Sequence, residues 1–186
     1  MKVEETILKD CFIIHDTMYG DERGYFFESY NQQHFNQQTG LDITFVQDNQ
    51  SKSKRGVLRG LHFQMGQFAQ AKLIRVLQGS VLDVAVDVRP TSPTFGQHVA
   101  IEITAENNIQ FFIPRGFAHG FIVLSEEAVF FYKCDNVYNK QSEGGIMYND
   151  ASLNINWQVN ASEIILSDKD KTNPLLSDIK DGLVFN

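Results

Sequence analysis

The densest run of reactive side chains in this sequence is RGVLRGLHFQ, Arg55 to Gln64, where two arginines, two glycines and His62 fall within or beside one predicted strand. An imidazole with its ordinary pKa of about 6.5 suits the taking of a proton near neutrality. Strand alternation would place Gly60, His62 and Gln64 on one face, with Gly60 leaving room beside the imidazole for a ligand. A hydrogen-bonded structural histidine fits the same residues, so both readings stand at this point. Lys72 follows ten positions after His62, and Met65-Gly66-Gln67 between them could turn the chain so that the two strands become neighbours. A lysine pointing into a barrel would be costly without a purpose, whereas an outward one is ordinary, and taken alone Lys72 is expected in solvent.

Two more groups extend the set. Tyr132, in FFYKCDN, sits on an apolar strand; its phenol could donate a proton from one side of a pocket while an imidazole acts on the other, or it could simply pack. SDKDKTNP places Asp168, Lys169 and Asp170 in a polar tail before Pro174. These read as surface charges unless one carboxylate folds back on an imidazole, raising its basicity and fixing its tautomer. PRGFAHGF, Pro114 to Phe121, adds His119 and raises the question of a metal, because barrel proteins deliver metal-binding histidines from such segments. His62-Phe63-Gln64 lacks a His-x-His pair, and Lys72 would repel a divalent ion, so no metal site is expected.

The elements that must carry these groups are strands. Leu82, Val84, Val86 and Val88 alternate with Asp83, Ala85, Asp87 and Arg89, the period of a strand with one buried face. Val99, Ile101 and Ile103 repeat the pattern after a proline-marked connection, which predicts an antiparallel pair. Further strands are predicted over 24–30, 44–51, 56–63, 72–78, 110–113, 120–124 and 129–134. One helix is expected near 31–38, with short turns in the tail, where Pro174 limits their length. Many short strands favour a sandwich or jelly-roll barrel over a βαβ fold.

Composition sets the outer limits. The 186 residues are 42% hydrophobic and show no repeat or linker, which predicts one domain over 1–186. A net charge of -7 argues against capture of nucleic-acid backbones but leaves room for a local cationic pocket that takes a small phosphorylated molecule. Cys11 and Cys134 are too few for a disulfide framework and lack CxxC spacing, so both are expected as reduced packing residues. The opening MKVEETILKDCFIIHD lacks the apolar core of a secretion signal, and no segment has the length of a membrane span, so a cytoplasmic protein is expected.

The order and wording of six segments resemble the dTDP-4-dehydrorhamnose 3,5-epimerase family over almost the whole chain: DERGYFFESY from Asp21, FVQDNQSKSKRGVLRGLHFQ from Phe45, AKLIRVLQGSVLDVAVDVRPTSPTFGQ from Ala71, FFIPRGFAHGF from Phe111, YKCDNVYN from Tyr132 and LSDKD from Leu166. The resemblance implies an all-β, cupin-like jelly-roll barrel with a few short peripheral helices. It also implies a homodimer whose N-terminal strands reach the partner's active site, and a deoxysugar substrate carried on thymidine diphosphate. By motif position, Gln47, Asp48, Asn49 and Arg59 would contact the nucleotide or diphosphate. His119 would line the pocket, Tyr138 would stack on thymine, and Arg23 and Glu28 would reach the nucleotide from the neighbouring subunit. Glu143 and Lys169 carry over less directly to nucleotide contacts.

The implied chemistry is proton abstraction beside a ketone, with no metal or redox cofactor. His62, oriented by Asp170, would be the base; Lys72 would stabilise the enolate oxygen, and Tyr132 would return a proton on the opposite face. A sister enzyme inverting only C3 or only C5, or a noncatalytic sugar-nucleotide-binding cupin, would share many of these residues. The chain departs from the family where Val137-Tyr138 replaces paired tyrosines and Gly144 replaces an arginine.

Overall fold

Thirteen short strands and two helices appear in the computed structural model, which describes residues 1–185. One sheet has the order β1 (Lys2–Glu5), β2 (Phe12–His15), β10 (Ile109–Ile113), β7 (Lys72–Gln78), β12 (Glu127–Cys134), β5 (Gln47–Lys54). The second has the order β13 (Glu143–Gly145), β6 (Leu58–Gln64), β11 (Phe117–Val123), β8 (Ser80–Asp87), β9 (His98–Thr104). A separate hairpin pairs β3 (Tyr19–Asp21) with β4 (Gly24–Phe26). Neighbours within the sheets run antiparallel, and strands distant in sequence lie side by side, the all-β jelly-roll arrangement expected. Among the described residues no helix is long and apolar enough to cross a membrane.

The predicted strands 72–78, 110–113 and 129–134 lie where expected, to within two residues. Two others differ. The strand expected over 24–30 stops at Phe26, and the one expected over 44–51 runs over Gln47–Lys54. β5 is an edge strand of alternating polar residues, so its extent is set by pairing with β12 rather than by an apolar pattern.

β8 corrects the expectation of a single buried face. Nearly the whole strand is buried on both sides. Val81 and Ala85 pack into the cluster between the sheets, with Ile74, Ile103, Phe111, Phe121 and Phe130. The row Leu82, Val84, Val86 and Val88 faces outward and is covered by Leu153, Trp157, Leu176 and Leu183 from the C-terminal segment. Burying one such aliphatic side chain contributes about 1.5–3 kcal/mol, so a row of four is enough to hold that segment on the sheet. The tail is thereby fixed as a third layer. Its turns at Asp170–Thr172, α2 (Leu176–Ile179) and Lys180–Gly182 flank Pro174 as anticipated.

On the far side, α1 (Gln32–Thr39) covers the outer face of the six-stranded sheet. Asn31 caps it by accepting from His34 N, Gly40 ends it at φ 72°, and its buried Phe35 packs edge-on against Phe112. Cys11 and Cys134 are both buried and unbridged.

Candidate active site

Between the sheets opens a cleft of about 510 Å³ whose walls include Asn49, Arg59, His62, Lys72, Phe121, Phe130, Tyr132 and Asp170. The strands carrying His62 and Lys72 are not neighbours, contrary to the sequence expectation. β6 belongs to one sheet and β7 to the other, so the connection around Met65–Gln67 crosses between sheets and the two side chains face each other across the cleft. Lys72 therefore points inward, not into solvent.

β6 holds a second departure. Its pairing with β11 slips: His119 stands opposite His62, but Phe121 stands opposite Arg59, so two residues of β6 span one of β11. Regular alternation would set Arg59 and His62 on opposite faces; the extra residue brings both to the cleft. Gly60 makes the bulge possible. Its φ is +134°, and a Cβ there would lie 2.5 Å from Gly120 Cα. The space beside Gly60 is thus filled by the neighbouring backbone, not left for a ligand as the sequence suggested. Gln64 turns to the hairpin-like loop beyond β12, where its Oε1 accepts from Asn139 N at 2.9 Å.

His62 Nε2 lies 2.5 Å from Asp170 Oδ1. Asp170 is 3% exposed, and its own N–H is held by Ser167 Oγ at 3.1 Å. Burial would raise this carboxyl, but the hydrogen bond and charge of His62, with help from Ser167 and Lys169, outweigh it and hold Asp170 below the usual carboxylate range. An Nε2–H that donates to Asp170 leaves the imidazole lone pair on Nδ1.

Across the cleft, Tyr132 and Lys72 occupy adjacent strands, with Lys72 Nζ 5.8 Å from the Tyr132 ring centroid. Burial pushes the phenol up to about 12, so it keeps its proton at neutral pH. Burial pulls the Lys72 ammonium below its ordinary value, opposed by the negative charges of Asp83 and Glu143 nearby. Among the described residues no carboxylate comes within 4.0 Å of Lys72 Nζ. A buried ammonium without a partner is stabilised by any anion that forms beside it.

One buried acid next to the cleft escaped the sequence reading. Asp83, assigned there to the polar face of β8, is fully buried on the cleft side and receives His119 Nε2 at 3.0 Å on each carboxylate oxygen. Burial, more than Asp83 can offset, lowers the His119 pKa, aided by the nearby Lys72 and His62. The signal available was an acid in the middle of a largely apolar strand. It became interpretable only once both faces of β8 proved to be buried.

The other expected contacts form a rim. Arg59 Nε and Nη2 both donate to Ser53 Oγ at 3.2 Å, leaving the guanidinium at the exposed mouth. Gln47 donates to Asn49 Oδ1 and accepts from Tyr138 N, while the Tyr138 hydroxyl donates to Glu143 at 3.0 Å. Lys169 Nζ pairs with the same Glu143 carboxylate at 2.5 Å. Burial tends to raise Glu143, yet Lys169 and Tyr138 prevail and hold it low. Asp48 lies apart: alternation turns it to the other face of β5, where it pairs with Lys133 at 2.9 Å. Arg23 and Glu28 lie on the exposed N-terminal segment, outside this chain's own cleft, paired with Asp21 and with His34 and Asn31. Gly144 has a local cause in the packing, since a Cβ there would sit 2.3 Å from the Phe63 ring. Among the described residues no group of three or more His, Cys, Asp or Glu is placed to hold a metal ion.

Fold and site together define a class: a jelly-roll protein whose cleft sets an imidazole–carboxylate pair against a phenol and an ammonium, the layout of an acid–base enzyme. The profile of the dTDP-4-dehydrorhamnose 3,5-epimerase family matches residues 5–178. The protein of that name from Salmonella typhimurium is 54% identical over 176 residues, covering 95% of this chain and 96% of its own. A crystal structure of the Elizabethkingia anophelis protein of that name superposes with a TM-score of 0.93 at 57% identity, covering 96% of this chain and 97% of that one. A Legionella pneumophila 3,5-epimerase, solved in complex with dTDP-4-keto-L-rhamnose, gives a TM-score of 0.94 at 46% identity over 100% of this chain and 98% of that one. The chain belongs to the dTDP-4-dehydrorhamnose 3,5-epimerase family.

Proposed function

We propose that this chain converts dTDP-4-dehydro-6-deoxy-D-glucose to dTDP-4-dehydro-L-rhamnose by removing and returning protons at C3 and C5. One observation carries the mechanism: His62 stands on one sheet, and Tyr132 and Lys72 stand on the other, across a cleft wide enough for a sugar. Both C3 and C5 flank the C4 ketone, so loss of either proton gives an enolate with charge on the C4 oxygen. His62 takes the proton, and Asp170 balances the imidazolium that results. Lys72, an ammonium without a carboxylate partner, meets the developing oxyanion. The Tyr132 hydroxyl then delivers its proton to carbon from the opposite side, which inverts the centre; solvent restores the phenol and discharges the imidazolium. A turn of the ring between steps lets one base and one acid serve both carbons.

The rim supplies the grip on the nucleotide. Arg59 is placed for the diphosphate, where a planar guanidinium can bind two oxygens at once, and the exposed face of Tyr138 suits thymine. Arg23 and Glu28 act in a homodimer, reaching the partner's nucleotide from the N-terminal arm. The arm's exposed Tyr19, Tyr25 and Phe26 support that reading, because three large aromatic side chains are costly to leave in water.

Incubation with the keto sugar in deuterated water tests the activity. Deuterium is expected at both C3 and C5; uptake at one carbon alone would reduce the enzyme to a mono-epimerase, and no uptake by folded protein would leave only a binding role. His62→Ala should abolish exchange at both carbons while retaining thymidine diphosphate, because base and diphosphate anchor are separate side chains.

A further inference from the structure

Segment 17–28 leaves the six-stranded sheet, forms the β3–β4 hairpin and returns to the start of α1. Its two ends are held by one side chain. Gln110, on β10 and only 3% exposed, donates through Nε2 to Asp16 Oδ2 at 2.7 Å and to Ser29 O at 2.9 Å. Both amide hydrogens are thus used, one on each limb of the segment. Gln110 stands opposite Ile14, two residues before Asp16, so it faces the outer layer and lies outside the catalytic cleft. The adjacent strand β7 adds a second hold: the Arg75 guanidinium sits 4.9 Å over the ring of Phe27 on the returning limb.

Beyond this base the hairpin, among the described residues, pairs only with itself, as a two-stranded sheet, and its Tyr19, Tyr25 and Phe26 are about two-thirds exposed or more. An isolated two-stranded hairpin is marginal in water, so its direction is set where its limbs are anchored. Asp16 makes the anchor sensitive. Among the described residues its Oδ1 is buried without a hydrogen-bond partner, which leaves the Gln110 amide as the hydrogen bond on the other oxygen. Removing that amide would leave a half-buried carboxylate at the foot of the arm without its hydrogen bond.

We propose that Gln110 is a positioning residue for substrate binding: a clasp that closes the base of the 17–28 arm and so aims Arg23 and Glu28. The proposal rests on the reading above in which these two residues reach the partner's nucleotide. Gln110 touches neither substrate nor base, so its loss should weaken binding and spare chemistry.

The test is steady-state kinetics on Gln110→Leu, Arg23→Ala and the double variant, with thermal melts to verify folding. Gln110→Leu should raise KM about tenfold, the scale of one lost charged hydrogen bond, with kcat within about twofold. In the Gln110→Leu background, Arg23→Ala should add little, because a misdirected arm no longer delivers the arginine. If Arg23→Ala raises KM and Gln110→Leu does not, the arm stands and the clasp falls. If neither changes KM, the reading of the arm itself fails. Fully additive effects, or a fall in kcat at constant KM, would also overturn the clasp. Should Gln110→Leu not fold, Asp16→Ala opens one limb only and should raise KM about threefold, with the same outcomes deciding.

Discussion

Asp170→Asn isolates the charge behind the base. The substitution keeps the size of the side chain and an oxygen to accept from His62 Nε2–H, but removes the negative charge that balances the imidazolium. That charge matters only when the substrate proton arrives, so the loss should fall on kcat and leave KM nearly constant. Its size follows from the geometry. Asp170 and His62 are in contact at 2.5 Å, with the Asp170 side chain 4% exposed and that of His62 27% exposed. Two unit charges centred about 4 Å apart, at an effective dielectric of about 20, attract by roughly 4 kcal/mol. Solvent on the open side of His62 screens part of this, leaving about 3–4 kcal/mol, or a 10²–10³-fold loss in kcat. The assay is the rate of deuterium entry at C3 and C5, followed by proton NMR. In a His62→Ala background the same change should have almost no further effect, since there is no imidazolium to balance. A loss of less than about fivefold from Asp170→Asn alone would refute the ion-pair argument and leave Asp170 as packing.

Other perturbations address the remaining parts. Lys72→Met should lower kcat by about 10²–10³-fold through loss of the oxyanion partner. It should also erase a basic limb in the pH profile that falls as pH rises through the lowered Lys72 pKa, below the usual 10.5; a limb that survives belongs to another group. Tyr132→Phe should slow net epimerisation more than the first exchange of substrate protons, and equal losses in both would remove it as the acid. Asp87 is fully buried, and although burial raises its carboxyl, the bonds from Arg89, Ser92 and Thr94 hold it below 3.8. A native pKa below the unfolded one means its stabilisation is present above about pH 4 and lost as pH falls through the native value. Asp87→Asn should therefore cost about 3 kcal/mol in urea unfolding at pH 7 and distinctly less at pH 3; an unchanged gap would contradict that linkage. Gly60→Ala should lower stability by at least about 2 kcal/mol in calorimetry, because its methyl group meets Gly120 backbone at a φ that favours glycine; an unshifted melt would show that the bulge can relax.

Much of the barrel could be read from periodicity, because β-branched and aromatic residues at alternate positions have few other uses. β7, β10 and β12 show this directly. What periodicity cannot supply is which sheet a strand joins or which of its faces looks inward. On β8 the more apolar face turned out to be the outer one, since the C-terminal segment covers it, while the cleft side carries Asp83. The link from His62 to Lys72 failed for the same reason: a short connection does not reveal whether it turns within a sheet or crosses to the other. The roles proposed for His62, Lys72, Tyr132 and Asp170 rest mainly on the family resemblance, as each residue alone fits packing or solvent equally well.

The assembly of the proposed base depends on parts of the chain to which no chemistry is assigned. Asp170 is 108 residues from His62 and reaches it only because the tail is pinned to the outer face of the five-stranded sheet. His62 in turn faces the cleft alongside Arg59 only because β6 carries an extra residue at Gly60-Leu61. One local irregularity therefore places His62 and Arg59, the proposed base and diphosphate anchor, on the same wall, and one apolar row delivers Asp170 to the imidazole. A change such as Trp157→Ala, remote from the cleft, should loosen the tail and reduce kcat by way of Asp170. If it lowers stability but leaves kcat at the wild-type value in the folded enzyme, the tail's docking and the orientation of the base are independent, and the apolar row serves stability alone.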